Sequence, residues 1–329
     1  MKPFNIFPYD SNINFMRLRW LSLAVAGLIM FVGIGAILYN CFSSGRFDTS
    51  NAFNFALDFT GGVAAELRYD KPADIDRIRN NLDAAGLDGA QVQTLGASNQ
   101  VLVRLKSAPG AAKLDVEKTV GRLVAASLLP DNPSKLMRSD SVGAQVGGEL
   151  AAKAGWALVF VVFGFLIYIS FRFEWKFAVA AIITTLHDVI TVAGWFALTR
   201  HEFDLTVLAG ILSVMGYSIN DTIVVFDRVR ENFRGMRAPP AEVLNRSINQ
   251  TLSRTVITSF VAFLTVFALY LYGGGSLQGM AESQMIGIVI GTLSSIFVAC
   301  PLLTFWFLKV SKQDLMPKAK DIEALARRP

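Results

Sequence analysis

The chain has 329 residues, 53% of them hydrophobic and only 17% charged, with a mean hydropathy of +0.43 and a net charge of +5. A soluble globular protein carries about 25% charged residues, and here the apolar excess is concentrated in six runs that reach the roughly 18–20 residues needed to cross a bilayer core. That excludes a soluble enzyme, a disordered chain and a disulfide-built secreted domain. The two cysteines, Cys41 and Cys300, have no metal-ligand spacing and read as small apolar packing residues.

A short tail at 1–19 leads into the first run, 20–40. No charge lies between Arg19 and Arg46, the run is too long for the apolar core of a signal peptide, and no small-residue cleavage site follows. It therefore reads as a retained anchor. The connection at 41–153, about 110 residues, is long enough to fold and has a different pattern. Strands are predicted at 53–59 and 63–69, followed by a helix opened by Pro72 with Ile75, Ile78 and Leu82 on one face. Two more strands at 90–95 and 100–106, joined through Gly96–Asn99, precede a helix from about 111 to 128 and a last strand at 135–142. That order contains the split β-α-β-β-α-β pattern of ferredoxin-like folds.

Five further apolar runs follow: 154–171, 177–199, 205–226, 255–272 and 284–308, the last expected to bend at Pro301. Between the fourth and fifth lies the link 227–254. It opens with Asp227-Arg228-Val229-Arg230-Glu231-Asn232-Phe233-Arg234, too charged for lipid, which continues the fourth helix beyond the membrane. After Pro239 and Pro240, an apolar stripe of Leu244, Ile248 and Leu252 predicts an interfacial helix lying along the membrane. The expected fold is an α-helical membrane protein: six transmembrane helices with one α+β ferredoxin-like periplasmic domain between helices 1 and 2.

Lys and Arg in the connections set the orientation. The tail 1–19, the 2/3 link, the 227–254 link and the tail 309–329 hold 17 of them, against one, Arg200, in the short 3/4 and 5/6 links. Both termini are then cytoplasmic and the 41–153 domain lies outside. The basic balance is a topology signal and not a nucleic-acid site.

Soluble-enzyme chemistry finds no support. No Gly-Lys dipeptide is present for a phosphate-binding loop, no serine sits in G-x-S-x-G, and the two histidines do not make a zinc helix. The ionisable residues inside the spans carry the information, because a charge at the bilayer centre costs about 2.5–3.5 kcal/mol on insertion scales. Asp221 follows Asn220 in the fourth span, some 16 residues or roughly 24 Å from its outer end. His187 and Asp188 lie near the middle of the third, and Arg254 opens the fifth on the same side as Asp221. Two readings stand: a structural ion pair of Asp221 and Arg254, or a proton or ion relay. Gly287, Gly291, Ser295 and Ala299 form a small-residue face on the sixth span, suited to close packing. Ser213 and Tyr217 lie on the turns above Asp221, and Thr255, Thr258, Ala262 and Thr265 line one side of the fifth span.

Several of these segments together resemble a known family. Ala56-Leu57-Asp58-Phe59-Thr60-Gly61-Gly62 is similar to the G-x-D-F-x-G-G signature of the SecD/SecF protein-export subunits, with Ala56 where the family usually has Gly. His187-Asp188, Gly216-Tyr217-Ser218-Ile219-Asn220-Asp221, Asp227-Arg228-Val229-Arg230-Glu231-Asn232 and Leu252-Ser253-Arg254-Thr255 resemble the SecF branch of it. The resemblance implies a bacterial inner-membrane component of the Sec machinery, within the resistance-nodulation-division superfamily. A six-helix chain would then need a separate SecD partner. It would use the proton gradient, or sodium as in some members, to help draw an unfolded secretory polypeptide outward through the SecYEG channel. No other cofactor and no catalytic group is implied. Asp221 would be the coupling carboxylate and Arg254 its basic partner, with Asn220, His187 and Asp188 beside them. Asp58, Gly61 and Gly62 would lie where the first span joins the outer domain, and Asp227, Arg228, Arg230 and Glu231 after the fourth span. A gradient-driven exporter of lipids or small molecules and an uncoupled membrane scaffold are the other classes compatible with the pattern.

Overall fold

The computed structural model describes residues 11–43, 45–87, 89–95, 97–106 and 116–311. The tail ends and the expected helical residues before 116 lie outside the described residues. In chain order the elements are α1 (Arg19–Phe42), β1 (Asn54–Phe55), α2 (Leu57–Thr60), β2 (Gly62–Tyr69), α3 (Ile75–Ala84), β3 (Gln91–Leu95), β4 (Ala97–Lys106), α4 (Val116–Ala126) and β5 (Ser134–Val142). They continue with α5 (Ala144–Arg172), α6 (Trp175–Thr199), β6 (Glu202–Phe203), α7 (Leu205–Gly235), α8 (Pro240–Tyr272) and α9 (Gly275–Ser294). Six helices, built on α1 and α5 to α9, are long and apolar enough to cross a membrane.

Between α1 and α5 the chain folds into a four-stranded antiparallel sheet in the order β3-β4-β2-β5, covered by α3 and α4. Connectivity and order are those of a ferredoxin-like domain. Its core is fully enclosed: Leu67, Val101 and Val103 from the sheet meet Ile78, Leu82 and Leu123 from the helices, all at 0% exposure. Each such side chain stabilises the fold by about 1.5–3 kcal/mol relative to an exposed one. Tyr69 closes the core by donating its hydroxyl to Ser127 O at 2.7 Å, and burial pushes its phenol up to about 12.

The expected strand at 53–59 is reduced to β1. Beyond Ala56 the chain turns into α2, which Gly61 ends at φ +67°. Alternating aromatics mimicked a strand, but Phe53, Phe55 and Phe59 instead gather on one side, around Phe203 of β6.

In the membrane part, α6, α7 and α9 form the buried centre, while α1, α5 and α8 expose most of their apolar surface. Glycines set the tightest contacts. A Cβ on Gly194 of α6 would lie 2.5 Å from Gly33 Cα of α1, and one on Gly287 of α9 would lie 2.1 Å from Val214 Cγ2 of α7. The small-residue face of the sixth span is therefore spent inside the chain, against α7.

Two expectations for the far side, opposite the domain, change. The 240–252 stretch is no separate interfacial helix: α8 runs unbroken from Pro240 to Tyr272. Its Leu244, Ile248 and Leu252 are buried with Phe226, Val229 and Phe233 of the prolonged α7, so the stripe meets protein and not a membrane surface. The last span gives up regular helix before Pro301, through a π-helical segment at Ser295–Ala299. The missing proline N–H and the clash of its ring with the preceding turn account for this. Residues 303–308 then leave the helix, ending in a 3-10 turn at Trp306–Leu308.

Candidate functional site

Two polar centres lie inside the apolar bundle, meeting α7 about one turn apart at Ser218 and Asp221. The first is built on Asp188 of α6, at 0% exposure. Its Oδ1 faces His187 Nδ1 at 2.9 Å, and its Oδ2 accepts from Ser294 Oγ of α9 at 2.8 Å and, in a short contact, from Ser218 Oγ of α7. Three donors from three helices surround the carboxylate, so its charge is met by hydrogen bonds. The other ring nitrogen of His187, Nε2, is buried and has no hydrogen-bond partner among the described residues.

The second centre is Asp221 of α7, at 4% exposure. Ser259 Oγ of α8 donates to its Oδ2 at 3.4 Å, a long bond. That hydroxyl has a second acceptor, Thr255 O of its own helix, at 2.7 Å. One proton thus serves two acceptors, and when it turns to the helix the described residues offer Asp221 no other donor. Tyr217 Oη at 2.9 Å and Thr292 Oγ1 of α9 at 2.7 Å converge on the same Ser259 oxygen. Above them, towards the domain side, a groove of about 270 Å³ is lined by Ser213, Tyr217, Thr265 and Gln284 together with Ala262 and Ile288. Tyr217, on the wall of this mostly apolar groove, is linked through the Ser259 hydroxyl to Asp221.

The structure separates residues that the sequence had grouped. Arg254 stays near enough to Asp221 for its charge to act on that carboxyl through space, but it is exposed on α8 and makes no ion pair with Asp221 among the described residues. The reason is helical phase: Arg254 precedes Ser259 by five residues, roughly 140° around the helix. Asn220 likewise lies on the exposed side of α7. His187 and Asp188 belong to their own centre. The partners that the sequence reading did not single out are Ser218, Ser259, Thr292 and Ser294. A hydroxyl in an apolar helix commonly bonds back to its own turn, as Thr265 does to Val261 O at 3.0 Å, and so carries no signal in sequence.

The remaining motif residues fasten the two ends of α7. On the far side, Asp227 accepts from Arg172 at 2.6 Å and from Arg230 at 3.5 Å, while Arg230 also reaches Glu174 at 3.1 Å. Arg228 pairs with Glu231 at 2.8 Å. The Asp227–Arg172 and Arg230–Glu174 pairs tie the end of α7 to the end of α5 and the link after it, whereas Arg228–Glu231 stays within α7. On the domain side, Asp58 Oδ2 accepts the Leu205 N–H, the first of α7, at 3.2 Å. Gly61 and Gly62 are required behind it: both have positive φ, and a Cβ on Gly62 would sit 2.2 Å from Leu105 O. Beside them Arg104 of β4, almost fully buried, pairs with Glu202 of β6 at 2.5 Å. Burial lowers the Arg104 guanidinium from its ordinary value and raises Glu202, each against the opposing pull of the partner charge.

Comparisons with known proteins agree on one family. A family model described as "Protein export membrane protein SecD/SecF, C-terminal" matches residues 125–309, and the "SecD/SecF GG Motif" matches 49–73. The protein translocase subunit SecF of Pseudomonas aeruginosa is 42% identical, covering 94% of this chain and 96% of that protein. The SecF of Escherichia coli O157:H7 is 38% identical over 88% of this chain and 86% of its own length. The crystal structure of SecDF from Thermus thermophilus, a translocon-associated membrane protein, superposes with a TM-score of 0.77 at 35% identity. The match covers 91% of this chain and 39% of that longer one. With near-full-length SecF relatives and a matching bundle and domain, the chain belongs to the SecD/SecF family of protein-export membrane proteins.

Proposed function

We propose that the chain is the SecF-type subunit of a bacterial protein translocase, placed in the cell inner membrane with both termini cytoplasmic and the α+β domain in the periplasm. It pairs with a separate SecD-type chain and uses the proton gradient, sodium being the alternative ion, to draw polypeptide emerging from the SecYEG channel. It is a coupling device and no enzyme. The observation that carries this reading is Asp221: a carboxylate deep in a span, held by one long and divertible hydrogen bond from Ser259, whose hydroxyl also joins Tyr217 at the edge of a groove. Asp188, by comparison, has three polar neighbours within 2.9 Å.

Protonating Asp221 removes the charge that draws the Ser259 proton. Ser259 then turns to Thr255 O, and the contact between α7 and α8 loosens. A bundle with two packings biased in this way responds to the gradient with movement. Need for a partner is supported by Asn220 and Arg254, polar side chains left exposed on α7 and α8. A relative from Brucella abortus named SecDF, 36% identical over 94% of this chain, is long enough that the match covers only 39% of it, leaving room for the second half in one polypeptide.

Depleting the chain tests the reading. Uncleaved secretory precursors should accumulate while membrane lipid composition stays normal. Normal precursor processing with accumulation of a lipid on one leaflet would transfer the reading to a lipid exporter.

A further inference from the structure

The α+β domain is attached to the bundle covalently through α1 and α5. A third attachment, to the α6–α7 loop, is non-covalent. There β1 pairs in parallel with β6, Ala56 N donates to Phe203 O at 2.9 Å, and Asn54 Nδ2 donates to Arg200 O at 3.1 Å. Arg200, the one described non-glycine residue with positive φ, donates back to Asn51 O at 2.8 Å. At the centre of this joint stands α2, a four-residue peg.

Asp58 extends from the peg to the first N–H of α7, while Asp204 of the loop takes the Val207 N–H at 2.7 Å. The positive end of the helix dipole is thus met by two carboxylates, one local and one borrowed from the domain base. Behind Asp58 the peg has no slack. Gly61 turns directly into β2, whose first residue, Gly62, pairs with both Lys106 and Val142. On its other side α2 rests on α5, where a Cβ at Gly147 would meet Gly61 N at 2.8 Å. A displacement of the α7 terminus therefore reaches a central strand of the sheet directly through the Asp58 hydrogen bond, beside the β1–β6 pairing and the Arg104–Glu202 ion pair that join the domain to the preceding loop. The helix so gripped carries Asp221, sixteen residues or roughly 24 Å farther on.

We infer that Asp58 is the positioning residue that couples α7 to the domain: it holds the N-terminus of the helix bearing Asp221 and passes that helix's movement to β2. This rests on the coupling role proposed for Asp221 and adds the path by which it leaves the membrane.

The test uses the full chain, co-reconstituted with its SecD-type partner and the channel in vesicles. Dye pairs are placed at cysteines replacing Asp83, exposed on α3, and Tyr272, exposed at the domain-side end of α8; Cys41 and Cys300 are buried and stay unlabelled. Imposing a gradient should change the dye separation in otherwise wild-type protein. In Asp58→Ala that change should be mostly lost and gradient-dependent translocation should fall roughly fivefold or more, with assembly intact. Asp58→Asn, which keeps an acceptor oxygen but not the charge, should fall between. If Asp58→Ala shows the wild-type change in separation, this inference is overturned and the role of Asp221 is untouched. If wild-type protein shows no change while Asp221→Asn translocates normally, both fall together.

Discussion

The contact between α7 and α9 allows the sharpest structural prediction. In Gly287→Ala the new methyl would sit 2.1 Å from Val214 Cγ2 and 2.5 Å from Cγ1. Carbon atoms settle at about 3.5–4.0 Å, so the two helices must separate locally by about 1.5 Å. Thr292 and Ser294 lie on the same helix, one to two turns along. Their bonds to Ser259 at 2.7 Å and to Asp188 at 2.8 Å would be stretched towards or past the 3.5 Å limit. Overpacking costs about 1–3 kcal/mol and each lost bond about 0.5–1.5 kcal/mol, giving a destabilisation of about 2–6 kcal/mol. Thermal unfolding of purified protein in detergent reads this directly. Val214→Ala removes the two nearest carbons and leaves Cβ at 2.8 Å, so the Gly287→Ala/Val214→Ala double variant should recover part of the loss, a coupling outside additivity. Gly164→Ala, where the new methyl meets nothing within 4 Å, is the control and should be neutral. An unperturbed Gly287→Ala, or strictly additive costs in the double variant, would refute the packing argument.

Glu202 provides a pH prediction. Burial, which the nearby Asp204 and Asp58 charges reinforce and Arg104 opposes, raises its carboxyl above the usual range. The folded protein therefore retains a proton that the unfolded chain has released, and stability from this group falls as pH rises through the raised value. Glu202→Gln should match wild type in acid and become the more stable of the two towards neutral pH, as followed by unfolding midpoints across the range. A wild-type advantage that grows with pH would contradict this. Arg104→Met, which strips Glu202 of its counter-charge, should make the pH dependence steeper. The orientation is tested by labelling: a cysteine at Tyr272 should react with an impermeant thiol reagent from outside the cell, and one at Arg237 should not.

The spans were legible because the bilayer demands long uncharged runs, and the domain because its strands and helices change period cleanly. Where the reading failed, distant residues decided. The aromatic alternation at Phe53–Phe59 suited a strand until Phe203 gathered the rings and Gly61 allowed a turn. Leu244, Ile248 and Leu252 looked like a membrane-facing stripe because the length of α7, which supplies Val229 and Phe233 to cover them, is not evident from that segment. Asp221 stood out as a costly charge, but its neighbours did not. Asn220 is adjacent in sequence and about 100° away on the helix, whereas Ser259 and Thr292 come from other helices. Arg254 was matched to Asp221 by depth alone, and depth says nothing about which way a side chain faces.

The role of Asp221 in coupling is tested most directly by gradient-dependent translocation. Inner-membrane vesicles should carry equal, assembled amounts of wild-type and Asp221→Asn protein. Asparagine keeps the shape and one acceptor oxygen but cannot take up or release the proton. The account predicts that the translocation increment due to the gradient disappears in Asp221→Asn while gradient-independent translocation persists. An undiminished increment in that variant would contradict it and leave Asp221 a structural residue.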